Sequence, residues 1–160
     1  VLNEDYEPLL ADFSNAAIVQ SPTEGCLTTY NVGTLAWKSP EMINERPYTL
    51  PSDVFAFGQI VHSIISLKLP FPQTMANKDV EEQLSNWNQD TILERSKGLE
   101  QFEDGYLAIY QTAVFENPDE RPSMEQFYDE MVTNDALVYP GTDIAEYRQY
   151  CNKITSFVQA

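Results

Sequence analysis

Histidine is nearly absent from this chain and cysteine is scarce. His62 is the only imidazole in 160 residues, and Cys26 and Cys151 are the only thiols. Two cysteines are too few for a disulfide framework, and nothing in the pattern argues for secretion. No cluster of four Cys and His exists. This argues against structural zinc and against a nucleophile that needs a neighbouring His base. Positive charge is also in short supply, with 9 Lys and Arg against 25 Asp and Glu, a net charge of -16. A surface this acidic repels DNA, RNA and anionic lipid, so neither nucleic acid nor membrane is expected as a partner. It can attract a basic substrate, although a solvated surface is the plainer account. No apolar run approaches the ~20 residues of a membrane span. The first residue is Val1 rather than Met, and no signal peptide is visible. The expectations are a cytoplasmic setting and a piece of something longer.

What is present is ample apolar material: 42% hydrophobic and 12% aromatic residues, enough for the core of one domain. Residues 1–13 read as a small hairpin, with a polar turn around Asn3-Glu4-Asp5-Tyr6-Glu7 and Asp12 at its exit. Residues 14–41 lack helical period and are rich in Ser, Thr, Asn, Gly and Pro. A loop of that length inside a compact domain is usually functional or mobile. Residues 52–66 predict a helix with Ser52 as its cap and Asp53 in its first turn. Val54, Phe55, Phe57, Ile60, Val61, Ile64 and Ile65 cover most of its circumference, the pattern of a helix buried at a domain centre. Leu69-Pro70-Phe71-Pro72 closes it with a proline-punctuated turn.

Asn77 can cap a further helix to about Trp87, with Val80, Leu84 and Trp87 on one face. Residues 104–115 read as another, stopped by Asn117-Pro118. Ser123, with Gln126 three residues on, fits a capping box for a fourth. Its apolar face holds Met124, Phe127, Tyr128, Met131 and Val132. Beyond Tyr139-Pro140-Gly141, Thr142 or Asp143 can cap a terminal helix in which Ile144, Tyr147, Cys151, Ile154 and Val158 recur at helical spacing. That helix either folds back on its own domain or connects to a following one. No internal repeat is visible.

Four short motifs follow one another: Ala11-Asp12-Phe13; Gly33-Thr34-Leu35-Ala36-Trp37-Lys38-Ser39-Pro40-Glu41; Ser52-Asp53-Val54-Phe55-Ala56-Phe57-Gly58; and Asn117-Pro118-Asp119-Glu120-Arg121-Pro122. In this order they resemble the C-terminal lobe of a eukaryotic protein kinase, read from just after its catalytic loop. The pattern of Thr34 and Trp37 is most similar to serine/threonine kinases of the tyrosine-kinase-like group. The resemblance implies a mainly α fold, a kinase-like C-terminal lobe with a short β-hairpin at its start. The partial kinase domain would occupy residues 1–133, with residues 134–160 as a helical tail or linker.

The resemblance also implies roles. Asp12 stands where the family places a carboxylate for the magnesium that bridges the ATP phosphates, and Phe13 stands beside it in the cofactor region. Ser14 replaces the glycine that usually follows. Its Cβ restricts positive-φ conformations, so switching of this segment is put in doubt. Gly33, Leu35 and Trp37 belong to the platform on which a substrate peptide docks, and the Thr34 hydroxyl resembles the one that assists the catalytic loop. Glu41 and Arg121 correspond to a buried ion pair that supports the docking segment, and Asp53 to a residue that holds the catalytic loop. Thr23, Thr28 and Thr29, together with Ser21 and Tyr30, are candidate phosphorylation sites.

The family's glycine-rich loop, its phosphate-pairing lysine and its catalytic loop have no counterpart in these residues. The expectation is therefore a parent serine/threonine kinase that uses ATP and Mg2+ on a protein substrate, with this chain inactive alone. The chain alone should also fold poorly, because the helix at 52–66 would lack its upstream cover. The alternative is a pseudokinase scaffold that binds without phosphate transfer. An acidic helical domain unrelated to kinases would require four ordered motifs by chance.

Overall fold

The central helix α2 (Leu50–Ser66) organises the chain. The computed structural model describes residues 1, 3–4, 9–18, 33–44, 46–138 and 141–158, and the side chains at 103, 104 and 153–158 lie outside that description. Helix α2 begins two residues before the sequence suggests. Thr49, not Ser52, is its N-cap, and Pro51 sits in its first turn. Proline is tolerated there because its missing N–H has no intrahelical partner in any case. Ser52 instead receives the Thr49 backbone N–H on its hydroxyl at 3.3 Å.

Val54, Phe55 and Val61 of α2 are buried, whereas Ile60 is 48% and Ile64 64% exposed. The helix is thus apolar nearly all round but covered on only part of its circumference. Its closest neighbour is α5 (Ala108–Ala113). Gly58 makes that approach possible: a Cβ there would lie 2.7 Å from Val114 Cγ1 and 2.8 Å from the Ala113 Cβ. Phe55 meets Trp87 edge-to-face at 5.1 Å between ring centroids, a favoured aromatic geometry. The Trp87 indole N–H is satisfied by the Val114 carbonyl at 2.9 Å.

Around this pair lie α1 (Pro40–Ile43), α3 (Asn77–Ser85), α4 (Gln89–Ser96) and α6 (Met124–Thr133). Helix α3 starts at Asn77, with Ala76 rather than Asn77 as N-cap, and buries Val80 and Leu84 as its spacing predicts. Helix α4 was not legible in the sequence. Asn88 caps it by accepting the Thr91 N–H at 3.0 Å, but Ile92 is its one buried large apolar side chain, too thin a stripe to read as a period. The helix expected at 104–115 divides into a wide turn, Glu103–Leu107, and α5, because Gly105 adopts a non-helical conformation.

Helix α6 opens with the expected capping box. Ser123 Oγ accepts the Gln126 N–H at 3.2 Å, and Gln126 Oε1 accepts the Ser123 N–H at 2.8 Å. Phe127 is buried, whereas Met124 at the first turn is exposed. The last helix, α7 (Ile144–Val158), is capped by Asp143, whose Oδ1 accepts the N–H groups of Ala145 and Glu146. It lies against α6: the Tyr147 hydroxyl donates to the Met131 carbonyl at 2.8 Å, and Arg148 pairs with Asp135.

The fold is mainly α. At its start, Leu9 N–H donates to the Val1 carbonyl at 2.8 Å and the Val1 nitrogen to the Leu9 carbonyl at 3.0 Å. That reciprocal pair is antiparallel pairing of the kind a short hairpin uses. Most of its turn lies outside the described residues.

Candidate functional site: a docking segment anchored by a buried ion pair

The Gly33–Glu41 stretch folds as a turn followed by a short helix. Thr34 precedes a 3-10 turn, Leu35–Trp37, and its carbonyl accepts the Trp37 N–H at 3.1 Å. Ser39 caps α1, with Pro40 and Glu41 in its first turn. Gly33 has φ +88°, a left-handed conformation that glycine adopts without penalty. Leu35, Ala36 and Trp37 are half-buried, whereas Thr34 and Gly33 are exposed.

Glu41 is the anchor. Its Oε1 and Oε2 receive Nη1 and Nη2 of Arg121 at 2.7 and 2.9 Å, and both side chains are essentially inaccessible. The Ser52 hydroxyl donates to Glu41 Oε1 at 2.9 Å. Arg121 also donates to the carbonyls of Phe115 and Pro51, each at 2.8 Å, and lies over the Phe55 ring at 5.1 Å. The guanidinium therefore ties α1, the start of α2 and the loop after α5 into one rigid node. Burial alone would push the Glu41 carboxyl up, but the hydrogen bonds and charge of Arg121 hold it below its ordinary value. The expected pairing of Glu41 with Arg121 is present. Ser52, which the sequence suggested only as a cap, joins it.

Gly33, Thr34, Leu35, Ala36 and Trp37 line a groove of about 480 Å³ together with Leu69-Pro70-Phe71-Pro72, Met75 and Val80. All three expected docking residues share it with Thr34. The sequence did not suggest that the proline turn after α2 would also line it, because that juxtaposition is long-range.

Asp12 lies apart from this node. It is exposed, with φ 64° and ψ 66°, a left-handed conformation uncommon outside glycine. The Ser14 hydroxyl donates to Asp12 Oδ1 at 2.5 Å. Hydrogen bonds from the Ser14 side chain and backbone hold the carboxyl below its ordinary value, so it is ionised. Phe13 is 68% exposed. Among the described residues no hydrogen bond or ion pair joins Asp12 to Thr34. Asp53 is exposed at the head of α2 and accepts a hydrogen bond from the Tyr48 hydroxyl. Burial and the Asp53 carboxylate push the Tyr48 phenol up. Tyr48 was not singled out from the sequence, since nothing in Pro47-Tyr48-Thr49 marks it before the chain turns into α2. Ser21, Thr23, Thr28, Thr29 and Tyr30 lie outside the described residues.

Among the described residues no group of three or more His, Cys, Asp and Glu could hold a metal ion. No helix among them is long and apolar enough to cross a membrane.

Known proteins match this arrangement. The family described as Protein kinase domain matches residues 1–132. The cysteine-rich receptor-like protein kinase 18 of Arabidopsis thaliana is 30% identical over 88% of this chain and 23% of its own length. The LRR receptor-like serine/threonine-protein kinase FEI 2 of the same plant is 29% identical over 79% of this chain and 23% of its own. The mitosis inducer protein kinase cdr1 of Schizosaccharomyces pombe is 40% identical over 39% of this chain and 10% of its own. The chain spans less than a quarter of the length of these relatives. With its motifs in kinase order and its docking segment pinned by Glu41 and Arg121, the chain belongs to the protein kinase domain family.

Proposed function

We propose that this chain is the substrate-docking part of a serine/threonine protein kinase that transfers phosphate from Mg-ATP to serine or threonine on a protein. The observation that carries the reading is the buried fork between Arg121 and Glu41, which anchors α1, the helix that follows Gly33, Leu35 and Trp37 of the groove in the chain. A rigid support gives a peptide a fixed geometry, and phosphate transfer depends chiefly on positioning and electrostatics.

Asp12 is the residue to hold magnesium. An exposed, ionised carboxylate suits an ion that takes one or two carboxylates together with phosphate oxygens and water. Bound there, magnesium would neutralise charge on the phosphates. Phe13 presents an exposed ring on the same turn. Thr34, exposed at the groove, would donate or accept one hydrogen bond beside the reacting hydroxyl, and Asp53 would orient the catalytic loop of the parent. The chain alone is inactive in this reading, because no residue in it takes the part of the proton-accepting Asp or of the phosphate-pairing Lys. A cytoplasmic setting belongs to the same proposal.

The test is transfer of labelled phosphate to a protein substrate by the full-length protein. Asp12→Asn should lower the rate by about a hundredfold or more. An unchanged rate would refute the role of Asp12. A second reading, a pseudokinase scaffold, draws on the Ser14 hydroxyl that occupies Asp12 Oδ1. It predicts nucleotide binding with no transfer by the wild-type protein.

A further inference from the structure

The chain carries 9 Lys and Arg in all, yet Lys68, Arg95 and Lys97 line one cleft of about 810 Å³, together with His62, the only histidine. A single carboxylate, Glu94, accompanies them. On a protein of net charge -16, a cleft with three cations and one anion is an island of opposite sign.

The cleft is built on Arg95. Its guanidinium donates to the Pro70 carbonyl at 2.7 Å, to the Tyr110 hydroxyl at 3.1 Å and to Gln59 Oε1 at 3.2 Å. It also lies within 5.4 Å of the Phe71 ring and 5.5 Å of the Trp87 ring. Those bonds fix the position of a positive charge behind the cleft. Lys97 is exposed and pairs with Glu94, and exposed Lys68 makes no ion pair among the described residues. His62 is 94% buried, from a relative exposure of 6%. Its Nε2 contacts the Arg95 carbonyl at 3.1 Å, and a carbonyl only accepts, so Nε2 carries the proton. The other nitrogen, Nδ1, is buried without a hydrogen-bond partner among the described residues. In this tautomer Nδ1 is an acceptor enclosed by the protein.

The position of the cleft matters as much as its charge. Leu69, Pro70, Phe71 and Pro72 line it and also line the docking groove of Leu35 and Trp37. The two depressions are separated by one shared wall. An extended chain seated in the groove can cross that turn and continue into the basic cleft. The cleft also offers apolar surface at Ile65, Leu69 and Leu99.

We propose that this cleft is a second recognition site for the protein substrate, selecting an acidic peptide segment outside the residue that is phosphorylated. Lys68 and Lys97 face its carboxylates, while the apolar wall receives a neighbouring side chain. An acidic peptide meets both features of the cleft, since its carboxylates suit the lysines and a neighbouring apolar side chain suits Ile65, Leu69 and Leu99. A free inorganic anion meets only the first. The inference rests on the docking role assigned above.

The test is fluorescence anisotropy with the full-length protein and two labelled peptides. One carries Asp and Glu beside leucine, and the other carries Asn and Gln at the same positions. Wild type should bind the acidic peptide about tenfold more tightly, and raised salt should erase the difference. Lys68→Glu with Lys97→Glu should abolish the preference for the acidic peptide over the amide peptide. Both lysines are exposed, so the fold should survive, and an unchanged far-ultraviolet circular dichroism spectrum checks this. Equal binding of the two peptides by wild type, or a preference that survives the double substitution, would overturn the proposal. Because binding is read without catalysis, selectivity without phosphate transfer would leave this inference standing and count against the kinase reading alone.

Discussion

Replacing Arg121 with Met should be among the most damaging single substitutions in this chain. The side chain donates five hydrogen bonds, two to Glu41 and one each to Pro51, Phe115 and, at 3.5 Å, Glu116. Removing it leaves the Glu41 carboxylate buried without a counter-charge in the node, although the Ser52 hydroxyl still donates to it. Breaking one side of a buried pair costs about 3–5 kcal/mol. Glu41→Gln should cost less, since Arg121 keeps its carbonyl partners. The double variant Glu41→Gln/Arg121→Met should be less destabilised than the sum of the singles, because the stranded charge is gone. Urea unfolding followed through the fluorescence of buried Trp87 and half-buried Trp37 reads all three. The pH profile adds an independent check. In wild type the Glu41 carboxyl is held below its ordinary 4.5. Its contribution is therefore complete above that value and is lost as pH falls through the folded pKa. In Arg121→Met, burial is opposed only by the remaining hydrogen bonds to the carboxylate and should raise the carboxyl above its ordinary value, so the slope should reverse, with stability rising as pH falls through the folded pKa. A cost under about 1 kcal/mol, or strictly additive single costs, would refute the claim that this pair anchors the docking segment.

His62 sets a second pH dependence. Burial, then the charges of Arg95 and Lys68, hold its imidazole below the ordinary 6.5. Below that value the unfolded chain binds a proton that the folded chain refuses, so stability should fall as pH drops from about 7.5 to about 5.5, and His62→Asn should flatten the slope. Urea midpoints across that range decide it, and an equal slope in both proteins would show that His62 is not the titrating group. Gly58→Ala should destabilise by about 1–3 kcal/mol despite the better helix propensity of alanine, because the new Cβ meets Val114 and Ala113 inside 3 Å. A thermal melt at or above that of wild type would mean that α2 and α5 can separate without cost.

Much of the architecture was local enough to read directly. The box of Ser123 and Gln126, the buried stripe of Val80, Leu84 and Trp87, and the apolar residues of α2 follow from spacing and side-chain chemistry within one or two turns. The motifs carried the family, and the pairing of Glu41 with Arg121 was legible because both residues sit inside them. The start of α2 was misjudged by two residues, since a proline in the first turn reads as a break until its helical context is known. Helix α4 escaped because one buried isoleucine makes no period.

The sequence by itself determined the order of the elements, their apolar faces and the acidic surface, all properties of neighbours along the chain. Only the tertiary structure decided which side of α2 is covered, how Tyr48 meets Asp53, and how the Leu69–Pro72 turn divides an apolar groove from a basic cleft. The covered face and the divided depressions join residues far apart in sequence, such as Arg95 with Pro70 and Trp87 with Val114, whereas Tyr48 and Asp53 are near neighbours whose contact depends on how the chain enters α2. The cause of the long-range contacts is packing around Phe55, Gly58 and Trp87, where shape and burial select one arrangement out of many that the local pattern allows.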